Sequence, residues 1–185
     1  MLKPARQRTA ITLLLAAAML LHAQPSATEY QIKAAYLLNF AKFVTWPSSA
    51  AAPRNEFKVC IAGDDPFGPV LDATLRGESI EGRRVVAQRV ANEQIAGECD
   101  VLFLSRSAEG QARRILAGLK GSSVLTVSDM PGFIERGGMI QFVTQADRVR
   151  FRVNLDAAED AGLTLSSELL KVASEVRTRR AGKGR

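Results

Sequence analysis

From Ile32 to Trp46 the chain is apolar on nearly every side of a helix, with Ile32, Ala35, Tyr36, Leu38, Phe40, Phe43 and Val44 leaving no clean polar face. Ser26-Ala27-Thr28-Glu29 has the spacing of a capping box that would open this helix, and Pro47 would close it after Trp46. Five of the eleven aromatic residues fall between Tyr30 and Trp46. A helix apolar on most faces is buried against a sheet and against something else, either its own C-terminal helix or a partner; core packing is the simpler account.

After a stretch of small residues and prolines from Pro47 to Asn55, short apolar runs alternate with helical spacing. Strands are expected at Phe57–Ala62, Arg83–Val90, Val101–Ser105 and Ser123–Val127, and helices through Leu71 and Leu75 and over Glu109–Leu119. This rhythm is that of a partly parallel, doubly covered sheet. It then changes: Met139–Val143 and Val149–Val153 flank the turn Gln145-Ala146-Asp147, the signature of an antiparallel hairpin. Helices follow at Asn154–Ala161, stopped by Gly162, and at Ser166–Val176. The expected fold class is α/β: a mixed, partly parallel sheet covered by helices on both faces, ending in an antiparallel hairpin and C-terminal helices. In the second hairpin strand Val149, Phe151 and Val153 alternate with Arg148, Arg150 and Arg152, so one strand face is apolar and the other carries three guanidinium groups. That row faces either water or an acidic surface.

Residues 1–23 read as a signal peptide: Lys3, Arg6 and Arg8 precede an apolar run from Ala10 to Leu21, and Ala23 is the small residue before the expected cleavage point. The run is shorter than the 18 or more residues of a convincing span, so export is expected. The net charge of +6 divides unevenly. The leader holds three basic residues and the tail after Val176 holds five, which leaves residues 24–176 with 17 basic against 19 acidic. The basic character belongs to the two ends, nucleic-acid binding does not follow from it, and residues 177–185 read as a basic disordered tail after a domain of residues 24–176.

Candidate chemistry is sparse. The only histidine, His22, lies in the leader, so the exported chain offers no imidazole for acid–base catalysis or a usual zinc site. Gly63-Asp64-Asp65-Pro66-Phe67-Gly68 follows a strand, where open α/β sheets present ligands, but it lacks the middle glycine of a dinucleotide loop. Asp64 and Asp65 read as a turn and helix cap rather than an acidic metal pocket completed by Asp129. Ser105, Ser107 and Ser128 also sit at strand ends with no identifiable general base, and Gly137-Gly138 lets the chain turn into the strand at Met139. No catalytic residue, metal or cofactor is expected. Cys60 and Cys99 lie in or beside buried strands; if these are neighbours the two can bridge, and otherwise they are separate buried thiols.

Taken together, Lys33-Ala34-Ala35-Tyr36-Leu37-Leu38-Asn39-Phe40-Ala41-Lys42-Phe43-Val44-Thr45-Trp46-Pro47, the Gly63–Gly68 turn and Cys99-Asp100-Val101-Leu102-Phe103 resemble the YfiR family of periplasmic proteins. So do Gly137-Gly138-Met139-Ile140, Arg150-Phe151-Arg152-Val153-Asn154-Leu155-Asp156-Ala157-Ala158 and Leu163-Thr164-Leu165-Ser166-Ser167-Glu168-Leu169-Leu170-Lys171-Val172-Ala173; the likeness spans about residues 29 to 176. It implies a non-enzymatic periplasmic regulator that binds the periplasmic sensor domain of an inner-membrane diguanylate cyclase, holds it inactive and so lowers cyclic di-GMP and biofilm formation. An outer-membrane lipoprotein can sequester such inhibitors, and homodimers occur. Cys60 and Cys99 match a disulfide position of the family; a second bridge found in some members has no counterpart here. The partner surface is placed on Arg148, Arg150 and Arg152 together with Glu168 and Lys171 of the last helix, where exposed arginines could steer an acidic partner. The competing readings are a small-ligand-binding module, with a crevice beside Asp64 and Ser105, that reports to another membrane sensor, and a hydrolase or metal enzyme dependent on Asp64.

Overall fold

Val101–Leu104 and Leu125–Ser128 are buried at every position, the mark of strands covered on both faces. The computed structural model describes residues 27–47, 55–90 and 98–179. In chain order the elements are α1 (Ala27–Phe43), β1 (Val44–Thr45), β2 (Glu56–Ala62), α2 (Pro69–Leu75), β3 (Ser79–Ile80), β4 (Arg83–Val90) and β5 (Val101–Leu104). A 3-10 turn over Arg106–Gln111 leads into α3 (Ala112–Gly118), then β6 (Leu125–Ser128) and a second 3-10 turn, Ile134–Arg136. The chain closes with β7 (Ile140–Gln145), β8 (Arg148–Asn154), α4 (Leu155–Asp160), β9 (Thr164–Leu165), α5 (Ser167–Val172) and β10 (Glu175–Arg177). The expected leader and residues 180–185 of the expected tail lie outside the described residues.

Eight strands form one sheet in the order β10-β8-β7-β6-β5-β2-β4-β3. Strands β7, β6, β5, β2 and β4 run parallel; β8 is antiparallel to β7, and β3 is antiparallel to β4. Two cores result. On one face α1 and α2 pack over Phe57, Val59, Ile61, Phe103, Phe142 and Phe151. Phe40 of α1 meets Phe151 edge-on with ring centroids 4.9 Å apart and stacks on Phe142 at 5.6 Å. On the other face α3 and the Met130–Phe133 segment cover Cys60, Leu102 and Leu104. The expected mixed α/β architecture with helices on both faces is therefore the observed one.

Three expected elements end elsewhere. The first helix stops at Phe43, because Val44 and Thr45, both β-branched, leave it to pair antiparallel with Leu165 and Thr164. The segment expected to be helical from Glu109 begins as a 3-10 turn at Arg106. The last helix stops at Val172 instead of Val176. Ser174 sends both its amide (2.8 Å) and its hydroxyl (2.9 Å) to the Phe151 carbonyl, and residues 175–177 then add to β8 as a parallel edge strand. Arg177 thus lies in the sheet, and Arg179 reaches back to Asp156 and Asp160 of α4. The hairpin turn falls at Ala146-Asp147, both with positive φ (46° and 56°), the left-handed pair that matches the twist of the flanking strands.

Cys60 and Cys99 form a disulfide with a Cα–Cα distance of 5.9 Å. Cys60 is central in β2 and Cys99 enters β5, the neighbouring strand, so the bridge lies inside the second core and closes a loop containing α2, β3 and β4.

Candidate functional site

The alternation of β8 places Arg148, Arg150 and Arg152 on one face of the sheet and Val149, Phe151 and Val153 on the other. The three arginines are not equivalent. Arg152 grips Glu175 of β10 with Nε and Nη2 (2.7 and 2.9 Å) and reaches Glu135 with Nη1 (3.2 Å), so it clips the edge strand and the Ile134–Arg136 turn to β8. Its hydrogen bonds hold the Glu175 carboxyl below the ordinary carboxylate range. Arg148 and Arg150 are exposed and, among the described residues, make no ion pair. At the Asn154 end of β8, away from Arg148 and Arg150, an open groove of about 700 Å³ is lined by Arg113, Lys120, Arg136, Arg177 and Arg179, with Glu135, Asp156 and Asp160 between.

Glu168 and Lys171 are exposed on α5, whose Leu169 and Leu170 pack into the first core, on the Phe151 side of the sheet. The structure therefore does not bring them together with Arg148 and Arg150, which project from the opposite face. The spacing of β8 gives its two faces but not which layer α5 joins, because that depends on the long-range packing of Leu169.

At the carboxyl ends of the parallel strands the serine hydroxyls are already committed. Ser107 Oγ accepts from Asp64 N (2.7 Å) and shares a hydrogen bond with Ser105 Oγ (2.9 Å), while Ser128 Oγ donates to the Leu104 carbonyl (2.7 Å). Gly63, at φ 86°, lies so close that a Cβ there would collide with both Ser105 and Ser107 hydroxyls. Gly63 is therefore packed directly against the Ser105 and Ser107 hydroxyls. Asp65 Oδ1 accepts from Phe67 N (2.8 Å) and its Oδ2 pairs with Arg89 (2.7 Å), which uses it as a turn residue; α2 itself starts at Gly68-Pro69 with no side-chain cap. Among the described residues no group of three or more His, Cys, Asp or Glu side chains could hold a metal.

One polar cluster was not anticipated. Lys33 of α1 is buried, with Nζ 2.6 Å from Glu29 Oε1, 2.6 Å from Asp129 Oδ2 and 4.4 Å above the Tyr30 ring. Asp129, just past β6, is buried too and accepts the Tyr30 hydroxyl at 3.0 Å. Burial first and the Asp129 charge second push the Tyr30 phenol far above its ordinary value, which keeps it a neutral donor. The one available signal was a lysine at a core position of α1, in the 33, 37, 40 register of Leu37 and Phe40.

Residues 30–174 match the YfiR/HmsC-like family, and the chain belongs to it; this is a regulatory family and not an enzyme family. No curated protein matches the chain. Among solved structures it is similar to a conserved domain protein from Vibrio cholerae O1 biovar El Tor, at 12% identity and a TM-score of 0.56, over 78% of this chain and 60% of that one. It is also similar to an ABC domain from Streptococcus pneumoniae solved in complex with L-Trp, at 12% identity and a TM-score of 0.47, over 65% of this chain and 55% of that one. The Vibrio structure establishes a shared fold. No described helix is long and apolar enough to cross a membrane.

Proposed function

We propose that this protein is a periplasmic inhibitor that binds the periplasmic sensor domain of an inner-membrane diguanylate cyclase and thereby lowers cyclic di-GMP. The observation that carries the reading is the family match over residues 30–174, nearly the whole domain. The leader expected at residues 1–23 and the Cys60–Cys99 disulfide suit an oxidising compartment. The surface we assign to the partner is the face bearing Arg148 and Arg150, two cations without internal ion pairs among the described residues, which attract an acidic surface and raise its association rate. Arg152 is left out of this surface because Glu175 and Glu135 occupy it. Glu168 and Lys171 lie on the other side of the sheet, where they suit a second contact, with another copy of the chain or with a sequestering outer-membrane lipoprotein.

The test is complementation of a deletion strain, read as cellular cyclic di-GMP. Loss of the protein should raise cyclic di-GMP, the parent chain should restore it, and Arg148→Glu/Arg150→Glu should fail to restore it at the same melting temperature and periplasmic level. An unchanged cyclic di-GMP level on deletion would remove the cyclase reading, and full rescue by the double variant would remove this surface.

A further inference from the structure

The Lys33–Asp129 cluster borders a cleft of about 320 Å³ whose wall includes Glu29, Arg106, Pro131, Gln141, Phe142 and Val143. The cleft lies at the carboxyl end of β6, on the edge of the sheet where open α/β folds bind their ligands. Within it two buried polar groups are incompletely used. Asp129 is 5% exposed; its Oδ2 takes Lys33 and Tyr30, but its Oδ1 accepts no hydrogen bond. The nearby Arg106 Nε, at 3.6 Å, is an ion-pair neighbour beyond hydrogen-bonding range. Gln141, also 5% exposed, spends its Oε1 on the amides of Phe133 and Ile134 (3.0 and 3.4 Å). Those two donors fix the orientation of the amide, so it is the Nε2 donor that remains without a partner among the described residues.

A buried carboxylate oxygen left without a hydrogen bond is costly and is not what a packing role requires. The four charges around the cleft, Glu29, Lys33, Arg106 and Asp129, cancel, so no net field draws an ion into it. What the cleft offers is a lone acceptor, a lone donor, a guanidinium and an apolar wall from Pro131, Phe142 and Val143. A ligand whose neighbouring atoms both donate and accept, and whose other face is apolar, uses all four. We infer that this cleft binds a neutral polyhydroxylated ligand of the sugar class, one hydroxyl donating to Asp129 Oδ1 and accepting from Arg106, its neighbour accepting from Gln141 Nε2, with the ring against Pro131 and Val143. The Arg106 side chain is 63% exposed, and swinging it outward by the width of an oxygen atom opens Oδ1 to the cleft. The volume corresponds to on the order of ten waters at about 30 Å³ each, enough for a sugar ring.

The test is titration of the purified, disulfide-bonded protein, without any partner, with N-acetylglucosamine and separately with glucose, followed by backbone amide NMR. Saturable shifts confined to Asp129 and the Gln141–Thr144 strand, for either sugar, are expected. Arg106→Ala and Asp129→Asn should each weaken the affinity about tenfold or more, the loss of one charge-assisted hydrogen bond. Arg106 is exposed, so Arg106→Ala retains the fold and decides the matter even if Asp129→Asn does not. Absence of saturable shifts with both sugars, or binding that Arg106→Ala leaves unchanged, would overturn the assignment.

Discussion

Reducing the Cys60–Cys99 bridge should cost this domain a large share of its stability. The two cysteines are 39 residues apart in sequence, and the loop they close contains α2, β3 and β4. In the chain-entropy account a loop of this length restricts the unfolded ensemble by about 4 kcal/mol. The fold gains that amount only while the bridge is closed. For a chain of this size each kcal/mol moves the melting temperature by about 2–4 °C, so reduction should lower it by about 8–16 °C. Thermal unfolding by far-UV circular dichroism of the parent with and without reductant isolates the crosslink, because both sulfurs stay in the second core. Cys60→Ala/Cys99→Ala should fall at least as far, since it also leaves a small cavity around two side chains that are 0% and 3% exposed. A reduced parent melting within about 2 °C of the oxidised one would refute the reasoning.

Lys33→Met leaves the buried Asp129 carboxylate with the Tyr30 hydroxyl as its one hydrogen-bond donor among the described residues and Arg106 as a neighbour at 3.6 Å, and urea denaturation should show a loss of about 3–5 kcal/mol. Lys33→Met/Asp129→Leu should recover most of it, and a loss below about 1 kcal/mol in the single variant would count against a desolvated pair. Glu175 has its carboxyl held below the ordinary value of 4.5 by Arg152, so its contribution to anchoring β10 is fully present above that pH and disappears as pH falls through the lowered value. The protection factors of the Glu175–Arg177 amides, each taken relative to the intrinsic exchange rate at that pH, should therefore fall on acidification in the parent, while Glu175→Gln should show low protection already at neutral pH; equal protection in both would separate β10 from this ion pair.

The parts of this fold that the sequence displays are those set by local period. The alternation Arg148 to Val153 gave both faces of β8, and the apolar run Val101 to Leu104 gave a doubly covered strand. The first and last helices were each ended by a partner distant in the chain. Val44 and Thr45 leave the helix for Leu165 and Thr164, and Glu175 to Arg177 leave it for β8 through Ser174 and the Arg152 clip. The candidate surface follows the same division. Three arginines on one strand face were legible from spacing, but which of them is already occupied depends on Glu175 and Glu135, separated from Arg152 by 23 and 17 residues. The Lys33–Asp129 pair joins residues 96 apart, and nothing in a lysine at one helix position indicates its acid. In the sequence Asp129 stands only as a companion for Asp64, from which the topology separates it: Asp129 follows β6, Asp64 follows β2, and β5 lies between these strands.

The most direct test of the central claim is site-specific photocrosslinking in intact cells, with the photoreactive residue placed at Arg150 and, in a parallel strain, at Lys171 on the opposite side of the sheet. The account requires that position 150 capture an inner-membrane protein carrying a periplasmic sensor domain and a cytoplasmic diguanylate cyclase domain, and that Arg148→Glu in the same chain abolish the adduct. A folded, disulfide-bonded bait that captures no such protein from position 150, or captures it only from position 171, would contradict it.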